Sequence, residues 1–444
     1  MMAHKKFIPL VLAASTFLQT FSHASVCVPM QDDCLQNGQA TPHEGATRQE
    51  GIAPLRYFSK ADLINLEDLE RIGNKPEGTS GGERAGIYKD PKTGKSYYIK
   101  QSNFFATLFG SAVLNAVYPQ GSAKDSVAYA EEGGERSYYI ASETLEGFKP
   151  FAQLESAPPM ATHLDDGVTL CALQNFLQLA SRHSSNNGLV YKPDGTMIPA
   201  AIDYDRTSQA GIRWHTLLKC PGIRGDIPHE ALSVKYRELL APSFVMSVLS
   251  TIVEIKNFLQ NEKIAVPNAY FTEAVDDLLL FLFDTTYELR QTYSYHQNIF
   301  LEGMSYFLKG VNYFLKGADH VLFFLYDIPY ASRQPYVYDQ PAIFHEYDFG
   351  KLASLLVAAD IKSSRALEYA VEKGDKESVE TLLKMGVQRG WANPLDIAVK
   401  CGHKEIVKVL LAAGVRDEKG GWALKLAKSS SHTEIVKMLE EASQ

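Results

Sequence analysis

Gly374-Asp375-Lys376-Glu377-Ser378-Val379-Glu380-Thr381-Leu382-Leu383 is the stretch on which the reading of this chain turns, because it returns twice. It reappears as Gly402-His403-Lys404-Glu405-Ile406-Val407-Lys408-Val409-Leu410-Leu411, and again as Ser431-His432-Thr433-Glu434-Ile435-Val436-Lys437-Met438-Leu439. The spacing is 28 residues and then 29. Each copy follows a short helical pattern holding a small residue: Ala370, Ala398 or Ala427. Apolar residues three and four apart place one stripe on each helix. A single helix pair cannot bury such a stripe alone, whereas stacked neighbours make the core continuous. Residues 347–444 are therefore expected to be an all-α stack, capped at its start by a degenerate helix over Lys351–Ala359.

Asn393-Pro394-Leu395-Asp396-Ile397-Ala398 is similar to the first-helix signature of ankyrin repeats, with Asp396 where that family usually has histidine. The family period is about 33 residues, so the finger hairpins should be shortened here. The resemblance implies a protein partner bound through the repeats. Combined with an export signal, it is similar to the effectors of intracellular bacteria.

Working outward, 444 residues exceed one compact core and point to two or three domains. With 45% hydrophobic and 22% charged residues the composition is that of a globular protein. A net charge of -8 argues against a non-specific grip on nucleic acid, and no nucleic-acid partner is expected. Lys5 and Lys6 precede an apolar run from Phe7 to Phe21, and Ser22-His23-Ala24 offers small residues for cleavage. These are the parts of a secretory signal over residues 1–24, the alternative being an uncleaved anchor. A secreted or periplasmic protein follows, with delivery to a host cell as one destination. Leu278–Phe283 is bounded by Asp276, Asp277 and Asp284, so the mature chain is expected to have no transmembrane helix. Among five cysteines, Cys27 and Cys34 could close a small loop. Cys171, Cys220 and Cys401 read as small buried apolar groups.

Residues 25–60 are polar and lack an apolar period, so they read as a flexible lead-in. Strand patterns dominate 61–153: Gly86-Ile87-Tyr88-Lys89 and Ser96-Tyr97-Tyr98-Ile99-Lys100 flank a Pro- and Gly-bearing connector, which signals a hairpin. A helix is expected over Asn103–Tyr118 and a buried strand over Ser137–Ser142. Helical spacing governs 154–330, and the proline-rich stretch 331–346 reads as a linker. The expected fold class is thus α+β, a small β-rich lobe and a helical lobe, followed by the all-α stack.

Four segments could carry chemistry. Gly78-Thr79-Ser80-Gly81-Gly82 ahead of Gly86 would let backbone approach phosphate, although a plain surface turn has the same composition. Lys100 ends a strand beyond that turn, where an ammonium either reaches phosphates or is simply solvated. Ser181-Arg182-His183-Ser184-Ser185-Asn186-Asn187-Gly188 is a polar turn after a helix over Thr169–Ala180, and Ile202-Asp203-Tyr204-Asp205 follows a second hairpin. An amide and a carboxylate on neighbouring loops suit a hard cation that also takes phosphate oxygens.

In order and spacing these segments resemble the nucleotide-binding core of the kinase-like fold shared by HipA and phosphatidylinositol kinases. The resemblance implies ATP and Mg2+ as cofactors, with Gly81, Gly82 and Lys100 at the nucleotide and Asn186 and Asp203 on the metal. His183 would support the catalytic loop. Ser181 aligns with the family's catalytic aspartate, and a neutral hydroxyl is a poor base at neutral pH. The helix over Asn103–Tyr118 has no acidic residue to pair with Lys100. These departures leave two readings open, a pseudokinase scaffold or a changed chemistry such as nucleotidyl transfer, with protein or lipid kinase activity the lesser expectation.

Overall fold

Asp90 turns the first hairpin. Its carboxylate accepts hydrogen bonds from Lys92 N at 2.8 Å and the Thr93 hydroxyl at 2.6 Å, and Gly94 supplies the left-handed residue at φ 75°. The turn lies where the sequence places it, between β-strands Gly86–Lys89, of alternating burial, and Ser96–Lys100, buried at its end. In the computed structural model the described residues are 52–74, 83–154, 164–177, 179, 185–205, 229–282, 347–388, 390, 392–417 and 421–443. The signal segment 1–24, the linker 331–346 and residues 283–330 of the expected helical region lie outside them.

Strands β1 (Ile64–Asn65), β2 (Glu70–Asn74), β3 (Gly86–Lys89) and β4 (Ser96–Lys100) precede helix α1 (Phe104–Val117), and β5 (Asp125–Glu132) and β6 (Glu135–Glu143) follow it. They form one sheet in the order β1-β5-β6-β4-β3-β2, with β1 and β5 parallel and every other pair antiparallel. The Asn103 side chain caps α1 by accepting from Ala106 N at 3.1 Å. The helix is apolar nearly all round and is buried from Phe105 to Leu114, as a central helix must be.

The second part holds β7 (Phe148–Pro150), α2 (Leu164–Phe176), β8 (Asn187–Tyr191), β9 (Met197–Ala201), α3 (His229–Leu239), α4 (Pro242–Asn261) and a helix α5 over 268–282. Strands β7, β8 and β9 make a small antiparallel sheet. Strand β7 reaches this sheet by pairing with β8. Gly188 permits that pairing: a Cβ there would meet Lys149 O at 2.2 Å.

The repeat region contains α6 (Phe349–Ala358), α7 (Ser364–Lys373), α8 (Lys376–Lys384), α9 (Pro394–Lys400), α10 (Lys404–Ala412), α11 (Trp422–Ser429) and α12 (Thr433–Ala442). Asp348, Ser363, Asp375 and Asn393 cap their helices through side-chain oxygens. Ala370, Ala398 and Ala427 are fully buried, as their place in three equivalent helices requires. Neighbouring repeats are tied by His403 Nε2 to Glu372 O and by His432 Nδ1 to Val399 O, each at 3.0 Å.

Three expectations are corrected. Residues 52–60 of the supposed flexible lead-in are docked. Leu55 N donates to Thr251 Oγ1 at 2.8 Å, Phe58 N donates to Glu254 Oε1 at 3.0 Å, and Phe58 packs on Phe258. Arg56 crosses to the sheet, donating to Asp125 O at 2.6 Å. Helix α6, the expected cap, packs on α8 of the stack and on α4 as well. Lys256 of α4 donates to Ala359 O at 2.6 Å and Asp360 O at 3.2 Å, and Tyr369 of α7 donates to Leu279 O at 3.1 Å. One apolar core therefore runs from Phe58 through α1 and α4 to Leu439. Cys171 is buried as expected but is disulfide-bonded, and Cys401 is an exposed free thiol. Among the described residues no helix is long and apolar enough to cross a membrane.

Candidate functional site

Strand β4 lies between β3 and β6, and Lys100 is its last residue, opposite Ile140. Burial of Tyr88, Ile99, Tyr139 and Ala141 together on one face of the sheet holds this strand end in place. The β8/β9 hairpin brings the other two groups together. Its ladder pairs Asn187 with Ala201, and Ile202 N extends it by donating to Asn186 O at 2.9 Å. Asn186 and Asp203 are thereby fixed at the same end of the hairpin although seventeen positions separate them.

The hairpin is fastened to the chain between α1 and β5. Tyr204 is fully buried, and its hydroxyl donates to Ala201 O at 2.6 Å while accepting from Ala123 N at 2.9 Å. Burial, with Asp125 and Asp203 nearby, raises that phenol well above its usual range, so it serves as a hydrogen-bonding anchor and stays neutral. Tyr118 Oη donates to Pro199 O at 2.9 Å, and a bridge joins Ser122 to Ala201.

Asp203 itself adopts φ 66°, the left-handed region that non-glycine residues enter chiefly where surrounding structure compels it. Its carboxylate accepts from the Lys100 ammonium through Oδ1 and from Asn186 Nδ2 at 3.5 Å through Oδ2. The Lys100 side chain is 10% exposed and that of Asp203 34%, so the pair lies at the edge of the interior with the carboxylate facing outward. Burial is the largest influence on Lys100 and acts downward. The charge and hydrogen bond of Asp203, with Asp125 and Asp205 behind them, outweigh it and hold the ammonium above its ordinary value.

Of the residues singled out in the sequence, Lys100, Asn186 and Asp203 meet in one place. Gly81, Gly82, Ser181 and His183 lie outside the described residues, although β2 and β3, which bracket the glycine-rich stretch, pair antiparallel. Helix α1 has no acidic residue in its first turn, and it presents Ser111 to β5. The sequence reading missed Asp125, a buried carboxylate at the start of β5. An aspartate two residues ahead of the apolar Val127-Ala128 was the one signal for it. Gln174 of α2 was also missed, and it donates to Asn187 Oδ1 at 2.5 Å, steadying the loop beside Asn186.

Magnesium needs few protein ligands when phosphate oxygens and water complete its shell. One outward carboxylate and one amide at a hairpin end fit that role. Among the described residues no group of three or more His, Cys, Asp or Glu would cage an ion unaided. The donor set suits an ion that brings further oxygen ligands of its own.

The architecture is a mixed α/β region followed by a helical repeat stack. Residues 367–443 match the family model described as ankyrin repeats, in three copies. By shape the chain is similar to the Helicobacter pylori proinflammatory kinase CtkA, known from a crystal structure, at 10% identity and a TM-score of 0.29, over 48% of this chain and 98% of that one. No curated protein matches the chain.

Proposed function

We propose that this chain is an exported ankyrin-repeat protein whose α/β region is a degenerate kinase-like module binding ATP with magnesium, and whose repeats hold a protein partner. The observation that carries it is the meeting of Lys100, Asn186 and Asp203, brought from a strand end and from both sides of a distant hairpin. Lys100 would neutralise phosphate oxygens, while Asp203 and Asn186 would hold the nucleotide's magnesium. Bound magnesium would draw negative charge from the phosphates as a Lewis acid. Phosphoryl and nucleotidyl transfer depend chiefly on positioning and electrostatic stabilisation, which these residues can provide without a strong base. Export is supported by the N-terminal signal pattern, and the disulfide at Cys171 suits an oxidising compartment.

The test is a thermal-shift titration of the full chain with ATP and magnesium. Stabilisation that is lost in Lys100→Ala and in Asp203→Ala supports the reading; a melting temperature indifferent to nucleotide removes it.

Ser181 and the absence of an acid from α1 favour a second reading, a pseudokinase that serves as a scaffold. Here nucleotide binds without turnover. Ser181→Asp separates the two, because phosphotransfer appearing only in that variant marks the natural site as silent.

A further inference from the structure

We propose that Asp125 on β5 is the positioning carboxylate of Lys100, standing in for the acidic residue that α1 lacks. The inference rests on reading Lys100 as the phosphate-binding lysine.

The sheet register sets the two side chains on one face. Lys100 lies opposite Ile140 of β6, Ile140 lies opposite Val127 of β5, and Asp125 is two residues from Val127. Residues paired across strands share a face, as do residues two apart along one strand. The long lysine stem can span the intervening strand.

Asp125 is also held as a positioning group needs to be. It is 1% exposed. Its backbone is gripped from both sides: Asp125 N donates to Ser111 Oγ of α1 at 2.8 Å, and Arg56 donates to Asp125 O at 2.6 Å. Its Oδ1 accepts from the Ser142 hydroxyl. Among the described residues Oδ2 has no hydrogen-bond partner. An orphaned, fully buried carboxylate oxygen is costly and calls for a cation. Burial raises the Asp125 carboxyl to about 7 and the Lys100 ammonium lowers it, so the cation favours the charged carboxylate.

The division of labour follows. In this structure Lys100 is paired with Asp203. Once Asp203 is drawn to magnesium, a largely buried ammonium loses its main counter-charge. Asp125 Oδ2 then holds it, keeping the stem extended along the sheet so that Nζ meets the phosphates. Asp203 can therefore turn to the metal without Lys100 collapsing into solvent.

A crystal structure of full-length Asp203→Ala tests the contact directly and needs no nucleotide. The expected result is Lys100 Nζ within about 3 Å of Asp125 Oδ2; Nζ turned to solvent overturns the proposal. Titration with ATP and magnesium tests the consequence. Asp125→Asn should weaken affinity at least about tenfold, equivalent to about 1.4 kcal/mol, and Asp125→Glu should recover most of it. Ser142→Ala, which frees Oδ1 without removing the carboxylate, should fall between and serves if Asp125→Asn does not fold. Lowered melting temperatures with unchanged affinity in the folded protein would assign Asp125 a merely structural role and overturn the proposal. A wild-type chain that binds no nucleotide would sink the nucleotide reading and the positioning role with it, while the Asp203→Ala coordinates would still show whether the contact exists.

Discussion

Replacing Lys256 by methionine tests whether the repeats and the helical region are one cooperative body. Lys256 is 2% exposed, lies over the Phe271 ring, and donates to Ala359 O at 2.6 Å and Asp360 O at 3.2 Å, the two carbonyls that end α6. Burial lowers its pKa and Asp360 partly restores it. Methionine keeps the apolar stem against Phe271 and deletes only the charge and donors. A hydrogen bond from a charged group is worth about 1.5–3 kcal/mol, and the stranded carbonyls add to the loss. Relief of the lysine's own desolvation acts the other way. The net expectation is about 3 kcal/mol. A large cooperative unit shifts by roughly 2 °C per kcal/mol, which gives a fall of about 6 °C in Tm. Scanning calorimetry of the full chain, with hydrogen exchange on peptides from α4, α6 and α7, provides the assay. One transition that moves down as a whole, with faster exchange in all three helices, is expected. A variant with unchanged Tm, or repeats that exchange independently of α4, would refute the claim that the core is continuous.

Gly121→Ala should destabilise by about 2–3 kcal/mol in urea denaturation, because its Cβ would lie 2.2 Å from the Tyr118 ring and 2.3 Å from Pro199 O. Asp125 gives a pH dependence of definite sign. Burial raises its carboxyl from 3.8 to about 7, against the lowering effects of Ser142, Lys100 and Arg56. The folded chain thus holds this proton where the unfolded chain has released it. The resulting stability is complete below about pH 4 and is lost as pH rises through 7, a change of about 4 kcal/mol. Asp125→Asn should flatten that part of the curve measured by denaturation between pH 4 and 8. Asp277, raised to about 6 by burial, Asp276 and Glu273, leaves a smaller slope in both proteins.

The repeats were legible because three copies of one pattern report a period that no single helix can. The hairpin at Asp90–Lys95 was legible from its own turn chemistry. Lys100, Asn186 and Asp203 could be picked out one by one, since a strand-end lysine and loop-borne Asn and Asp stand out against apolar neighbours. Their meeting depends on the β8/β9 ladder and on Tyr204, whose burial no local pattern announces. Asp125 escaped notice because its weight comes from complete burial beside Ser142 and Ser111 rather than from its neighbours in sequence. The lead-in misread has a similar cause. Residues 52–60 lack an apolar period, but Phe58 and three backbone bonds to α4 fasten them, and those partners lie nearly two hundred residues away. Likewise the fusion of the repeats to α4 and α5 turns on single side chains, Lys256 reaching across 103 positions and Tyr369 across 90.

Calorimetric titration of the full chain with ATP and magnesium, run as a double-mutant cycle on Lys100 and Asp203, goes most directly to the central claim. The account predicts saturable, magnesium-dependent binding that Lys100→Ala and Asp203→Ala each weaken at least about tenfold, with the double variant little worse than either because both act on one ligand. Absence of binding by the wild-type chain, or binding that survives Lys100→Ala unchanged, would contradict it.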